Sequence, residues 1–431
     1  MQCEHAAGAT TQAACVRFRW PIVFHRWLAL RSSCAAEPVL PRSVVMSPAT
    51  RSNRARLREV ALVFLRLGVT GFGGPAAHIG MMEEQVVRRR GWVTHAEFLD
   101  LLAAVNLIPG PNSTELAIHL GYRRAGWAGC VAGGVCFVLP AFVIVLALAW
   151  VYVQFGQLPR ATGLLYAVKP VLIVIVAQAL WNLGRRALKN AWLAGIAAAG
   201  VAGDVAGVNE VAVLALAGLL AVGVRGFGKR AIRTGAGLLA LTSSAAPASA
   251  GAAVGVVPFT LGGLGLFFLK VGSVLFGSGY VLLAFLQADL VDRWHWLTQT
   301  QLLDAVAVGQ VTPGPLFTTA TFIGYVLGGV PGAVVGTLGI FLPSFVFVAL
   351  SGPLIPKLRR WLAAGAFLDG VVAASLALMA VVTWQLGRAA LVDWPTLALA
   401  GAAAVAMIRF KVNSMWLVLT AALAGLVFSL R

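Results

Sequence analysis

Charge is scarce in this chain. Only 11% of its 431 residues are Asp, Glu, Lys or Arg, and just 15 are acidic. With 59% hydrophobic residues beside so few solvated ones, an ordinary soluble domain is excluded. Cysteine is scarce too: Cys3, Cys15 and Cys34 lie early in the chain, and Cys130 and Cys136 share one apolar run. No C-x-x-C pair or Cys/His cluster occurs, so neither a disulfide framework nor a metal site is expected. The nucleotide signature G-x-x-x-x-G-K-[ST] is missing, so ATP is not implied. No other cofactor is expected. The carboxylates are scattered, which disfavours a membrane enzyme that gathers them around a metal.

What is present is apolar length. Residues 127–155, 235–269 and 412–430 carry no charge at all, and about 20 residues suffice to span a bilayer. Mean hydropathy is +0.87. These features describe an all-α polytopic membrane protein. The net charge of +18 sits in short loops between apolar segments, where it anchors the cytoplasmic side and does not bind nucleic acid. Residues 1–50 differ from the rest. Residues 20–30 are broken by His25 and Arg26, a poor signal core, so this leader reads as a disordered extension or a mis-assigned start, with the functional protein beginning near Met46.

The remainder is written twice, about 204 residues apart. Phe64-Leu65-Arg66-Leu67-Gly68 returns as Phe268-Leu269-Lys270-Val271-Gly272, Phe72-Gly73 as Phe276-Gly277, and Pro109-Gly110-Pro111 as Pro313-Gly314-Pro315. After a one-residue deletion Gly121-Tyr122 matches Gly324-Tyr325, and Pro140 matches Pro343. We divide the chain into the leader 1–50, a first repeat 51–233, a linker 234–257 and a second repeat 258–431. Duplication in an apolar chain is the mark of a carrier with its site between the halves.

Loop charges orient the copies. Arg88-Arg89-Arg90 faces a counterpart holding only Arg293, while Arg160 stands alone against Lys357, Arg359 and Arg360. The loop 204–210 has no basic residue, against Arg409 and Lys411. Basic loops in one copy meet basic-poor loops in the other, which predicts inverted repeats and a linker that crosses the membrane. Residues 59–83 and 96–119 are each interrupted at the middle, and arms of about 12 residues reach only roughly 18 Å. They read as re-entrant helix hairpins, giving about 13 membrane segments by the bilayer-length rule. Broken backbone at that depth is tolerated where it lines a cavity.

The breaks carry the candidate chemistry. Pro-Gly-Pro ends one helix and starts another, whose free N–H groups and positive dipole end suit an anion. Asn112 and Ser113 follow the first motif and Thr312 precedes the second. Arg66 and Lys270, repeat equivalents inside apolar runs, could together offset a dianion. The plainer alternative is that Arg66 snorkels to the interface. His78 and Glu115 are the candidates for gating or proton coupling, although a Glu at a helix start also simply complements the dipole.

Phe64-x-x-x-Gly68 leading to Phe72-Gly73-Gly74-Pro75-x-x-His78-Ile79, then Pro109-Gly110-Pro111, Phe276-Gly277-x-Gly279-Tyr280 and Thr312-Pro313-Gly314-Pro315, resembles the chromate ion transporter family in its long, two-domain form, over about residues 57–430. The resemblance implies a multi-pass protein of the bacterial inner membrane that exports chromate and confers resistance to it. It places Gly73, Gly74, Pro75, Pro109, Gly110, Pro111, Gly277, Gly279, Pro313, Gly314 and Pro315 at the substrate. Ser278 and Gly279 depart from Gly74-Pro75 of the first copy, so the halves need not contribute equally. Chromate and the lipid bilayer are then the partners, and a homodimer stays open. A carrier of sulfate, the same tetrahedral dianion in shape, is the nearest alternative. A membrane-embedded enzyme and a passive channel stand further off.

Overall fold

The computed structural model describes residues 52–72, 74–155, 159–227, 257–276, 279–358 and 362–428. The leader and nearly all of the linker fall outside them. Among the described residues there is no strand. Polar residues at the boundaries of apolar runs start the helices. Ser52 caps α1 (Asn53–Thr70) by accepting from the Ala55 amide. Helix α2 (Gly74–Glu83) runs into a π-helical turn, Glu84–Arg89. Helix α3 (His95–Val105) opens with a capping box between Thr94 and Glu97. Four helices complete the first copy: α4 (Asn112–Phe155), α5 (Pro159–Ala187), α6 (Ala191–Val205) and α7 (Glu210–Phe227).

The second copy repeats this order. Helix α8 (Leu261–Val274) is followed by the short α9 (Leu282–Phe285), which again runs into a π-helical turn, Leu286–Arg293. Helix α10 (Gln299–Val311) opens with the matching capping box of Thr298 and Gln301. Then come α11 (Thr319–Leu358), α12 (Leu362–Ala390), α13 (Trp394–Phe410) and α14 (Ser414–Phe428). At the start of α13 the Tyr166 hydroxyl and the Thr396 amide hold the Asp393 carboxyl below the usual carboxylate range. That contribution to the cap is present above the ordinary carboxylate range and is lost as pH falls through the lowered value.

Helices α4 and α11 are not single rods. Ala125 and Gly126 have φ/ψ of −140°/22° and 64°/−149°, and Gly328 and Gly329 have −143°/22° and 61°/−152°. Beyond each turn the chain folds back on itself. A Cβ on Gly121 would lie 2.1 Å from the Gly129 carbonyl, and one on Gly133 2.6 Å from that of Ala117. Gly324 and Gly332 repeat the contact at 2.2 Å. These turns lie beyond residues 96–119 and their counterpart, and each is a tight helical fold-back held by backbone-to-backbone packing.

Four runs, Asn112–Phe155, Leu165–Ala187, Leu316–Ser351 and Ala363–Ala390, are long and apolar enough to cross a membrane. Trp127, Val131, Val135, Leu139 and Val143 form an exposed stripe along α4, and Val330, Val334, Leu338, Leu342 and Val346 form its copy along α11. Apolar surface so continuous needs lipid against it. This is an all-helical membrane protein built from two copies of one unit.

The copies are interleaved. Helix α1 packs on α4 and α8 on α11, while α5 packs on α13 and α14 and α12 packs on α6 and α7. Each half thus supplies the last two helices around the other half's long one. Three polar contacts cross between halves near helix ends: Arg293 with Glu210 at 3.5 Å, Arg225 with Asp369 at 3.3 Å, and the Tyr166 hydroxyl donating to Asp393.

The fold-back predicts a sharp contrast between two glycines. Gly121→Ala drives a methyl into a backbone carbonyl and is expected to cost about 1–3 kcal/mol or more. Gly195→Ala, on α6 with nothing within 4 Å of its Cβ, is expected to be neutral or to stabilise by up to about 1 kcal/mol. Thermal unfolding of the two variants in detergent measures the difference.

Candidate functional site

The two helix breaks meet the two Pro-Gly-Pro loops crosswise. Helix α1 stops at Gly71, which frees the Gly71 carbonyl, and Gly314 from the second copy donates its N–H to it at 2.8 Å. Helix α8 stops at Leu275, and Gly110 from the first copy donates its N–H to that carbonyl at 2.7 Å. Gly71 and Leu275 are repeat partners, as are Gly110 and Gly314. One hydrogen bond is thus the other with the halves exchanged.

Both donors need glycine. Gly110 has φ +135° and Gly314 φ +104°, values that side-chain-bearing residues rarely adopt. Space forbids a side chain as well. A Cβ on Gly110 would lie 2.3 Å from Glu115 Oε1 and 2.8 Å from Ser344 Oγ, and one on Gly314 2.8 Å from the Ala141 methyl. The prolines 109, 111, 313 and 315 hold these loops out of the helices on either side.

The donors at the crossing can be counted. Pro111 carbonyl accepts from the Thr114 and Glu115 amides at 2.8 and 3.0 Å, and Pro315 carbonyl from Thr318 at 3.1 Å. The Asn112 and Ser113 amides on one side, and those of Leu316 and Phe317 on the other, open their helices with no carbonyl of their own helix to meet. These are the donors an anion would find. The threonine hydroxyls are less free. Thr312 donates to Val308 carbonyl at 2.7 Å, Thr318 to Pro315 at 2.9 Å and Thr319 to Leu316 at 2.8 Å. The Asn112 amide group is turned to Asn106 Oδ1 at 2.7 Å.

Gly74, with φ +76°, starts α2 and Pro75 occupies its first turn. Gly279 packs against Leu316 and Phe317, which puts the second break beside the second loop. Gly73, Gly277 and Ser278 lie outside the described residues. Arg66 sits on the exposed side of α1 among Leu62, Leu65 and Val69. Lys270 is 2.6 Å from the buried Asp289, which also binds Arg293. No contact joins the two cations among the described residues.

His78 is buried and its ring meets Phe137 edge-on at 5.5 Å. Its Nε2 is 3.0 Å from the Gly71 carbonyl, which can only accept, so Nε2 carries the proton. His78 thus secures the same carbonyl that Gly314 holds. Glu115 is fully buried, with no ion pair among the described residues, and both its oxygens lack a complete hydrogen bond.

Four polar contacts escaped sequence reasoning. Tyr152 donates to Asp304 at 3.0 Å, and Lys169 pairs with the same buried carboxylate at 3.3 Å. His119 lies 3.3 Å from the Ser351 hydroxyl, 232 positions away. Ser344 reaches the Gly110 loop. A polar residue inside an apolar run was the available signal, but its partner lies in the other copy.

The family model described as chromate transporter matches residues 58–223 and 262–426. The chain is 38% identical over 375 residues to the chromate transport protein of Cupriavidus metallidurans, covering 86% of this chain and 93% of that protein. It is 33% identical over 381 residues to a probable chromate transport protein of Synechococcus elongatus, covering 86% and 95%. The chromate transport protein of Pseudomonas aeruginosa is 33% identical over 375 residues, covering 84% and 90%. No solved structure matches the chain.

Gly110→Ala and Gly74→Ala separate strain from crowding. Both positions have positive φ, which costs an alanine about 1–2 kcal/mol. Only Gly110 also meets Glu115 and Ser344. Gly110→Ala is therefore expected to lower the melting temperature more than Gly74→Ala and to shift the loop that faces Leu275. Equal melting temperatures would remove the crossing as a packed constraint.

Proposed function

The chain belongs to the chromate transporter family, and from that membership we propose that it exports chromate from the bacterial cytoplasm across the inner membrane as a secondary carrier, with chromate resistance as the result. The observation that carries this reading is the crosswise pair of hydrogen bonds. Each bond sets an interrupted helix of one half against the Pro-Gly-Pro loop, and so a helix N-terminus, of the other, an arrangement that supports a carrier of an anion. Asn112, Ser113, the Pro-Gly-Pro loops and the breaks at Gly71–Pro75 and Leu275–Gly279 form the binding region. Lys270, tied to Asp289, and Arg66, on the outer face, act on the anion at longer range.

Export needs no nucleotide. A dianion leaving a negative interior gains about 4.6 kcal/mol at 100 mV, from about 2.3 kcal/mol per charge. That corresponds to roughly three decades of concentration ratio. The relatives' names as transport proteins support a carrier and not an enzyme.

Inverted repeats are part of the proposal. Three contacts support them: Glu210 with Arg293, Arg225 with Asp369, and Tyr166 with Asp393. An inverted order puts both members of each pair on the same side of the membrane. A parallel order would put each pair on opposite sides.

Inside-out vesicles carrying the protein are expected to accumulate chromate when their interior is made positive, and to lose that uptake when the potential is collapsed. Excess sulfate in the same assay reports selectivity. Uptake no greater than in vesicles without the protein would end the proposal. Cysteines placed at 88–90 and at 293 should react with impermeant reagent from opposite sides; reaction from one side would sink the inversion.

A further inference from the structure

The duplicated fold provides an internal control for its own polar residues. The first arm of α4 packs against the second arm of α11, and the first arm of α11 packs against the second arm of α4. In one of these interfaces the facing residues are Glu115 and His119 against Ser344 and Ser351. At the repeat-equivalent places of the other stand Thr318 and Phe322 against Ala141 and Leu148. The geometry is the same: a Cβ on Gly110 would meet Ser344 Oγ at 2.8 Å, and one on Gly314 would meet the Ala141 Cβ at 2.8 Å. In the second interface Phe322 meets the Tyr152 ring at 5.1 Å with the planes tilted by 57°, and the Thr318 hydroxyl is spent on the Pro315 carbonyl. Packing alone therefore does not require an acid and an imidazole in the first.

Those residues are costly where they stand. Glu115 is 0% exposed, Ser344 0%, Ser351 4% and His119 6%. Both Glu115 oxygens and the Ser344 hydroxyl lack a complete hydrogen bond, and no cation among the described residues pairs with Glu115. Burying an unpaired carboxylate is strongly unfavourable. The side chain nonetheless touches the Gly110 loop, one turn into α4 from the amides that would hold the anion. His119 lies one further turn toward Arg123 and Arg124, hydrogen-bonded to Ser351.

Other titratable groups on the elements around α4 are occupied elsewhere. On α1, Glu59 binds Arg90, Arg124 and Trp92, and Arg66 is on the outer face. Arg54, Arg56 and Arg58 lie at the start of α1. On α2, His78 holds Gly71; on α3, Glu97 binds Arg123 and Asp100 is exposed. On α10, Asp304 pairs with Lys169 and Tyr152. The described side chains of α11 that face Glu115 and His119 are uncharged. Cys130 lies beside Ile118 and Val348.

We propose that Glu115 and His119 form a proton-binding site linked to the anion site, so that the anion occupies the loops when Glu115 carries a proton. The reason is electrostatic: an ionised carboxylate and a dianion cannot share one water-poor pocket without strong repulsion. The proton is held as the carboxylic O–H of Glu115, hydrogen-bonded toward Ser344. It exchanges with water on the Arg123–Arg124 side through His119, and no bond of the anion changes. This inference rests on the carrier reading above and deepens it.

The test is chromate binding by the reconstituted full chain as a function of pH, for wild type and Glu115→Gln. Chromate's own protonation is common to both proteins and cancels in their ratio. As pH rises, wild-type affinity is expected to fall relative to the variant's by up to about tenfold per pH unit, the limit for one linked proton. His119→Phe, which installs the residue of the symmetric interface, is expected to lose the fast phase of proton uptake that follows mixing with chromate. If Glu115→Gln fails to fold, Ser344→Ala takes its place, and the pH at which affinity is half lost should shift. Identical pH dependence in wild type and variant overturns the proton site and leaves the carrier reading standing. No chromate binding by wild type at any pH overturns both.

Discussion

Two backbone hydrogen bonds, Gly110 to the Leu275 carbonyl and Gly314 to the Gly71 carbonyl, are the constraint on which the rest of this fold turns. Inside a bilayer no water satisfies a helix that stops midway, so each freed carbonyl must find a donor in protein. Here the donor comes from the other copy, at a loop that is itself a helix interruption. Each half therefore supplies a backbone donor to the other's break, joined at Gly71 by the His78 ring of the same copy. That mutual need explains why the helices are interleaved, with α5 set among α13 and α14 and α12 among α6 and α7.

The same constraint fixes the glycines. A loop that must present an N–H to a carbonyl across an interface, between two prolines, reaches it with positive φ and no Cβ. Farther out, the fold-back of α4 and α11 demands backbone contact at Gly121 with Gly129 and at Gly324 with Gly332. Without a hydrophobic driving force between segments already in lipid, close packing of small residues is what holds such hairpins together.

Much of this was legible in the sequence. The duplication located every break, because proline and glycine act locally and leave their mark at the position they disturb. The capping boxes at Thr94 and Thr298 and the paired kinks at Gly126 and Gly329 follow the same register. The side chains were less readable. Arg66 and Lys270 look alike in sequence, yet Lys270 meets Asp289 because the second copy has an acid where the first has Gln85, while Arg66 faces outward. Lys169 with Asp304, and His119 with Ser351, join residues of different copies. No local pattern encodes a partner more than a hundred positions away. The threonines near the second Pro-Gly-Pro motif looked like anion ligands, but their hydroxyls turn back to their own helix carbonyls, a local choice that competes with any ligand.

What duplication supplies for architecture, divergence supplies for function. Several departures from symmetry place polar groups where the first arm of α4 meets the second arm of α11. Glu115 replaces a threonine, His119 a phenylalanine, Ser344 an alanine and Ser351 a leucine, while on the outer arm Asp289 replaces a glutamine. Four of these five substitutions line one interface, buried against one of the two loops that hold the breaks shut. Among the described residues Glu115 is a buried carboxylate with no cation beside it, next to the Gly110 bond, where a change of charge bears directly on the seam between the halves.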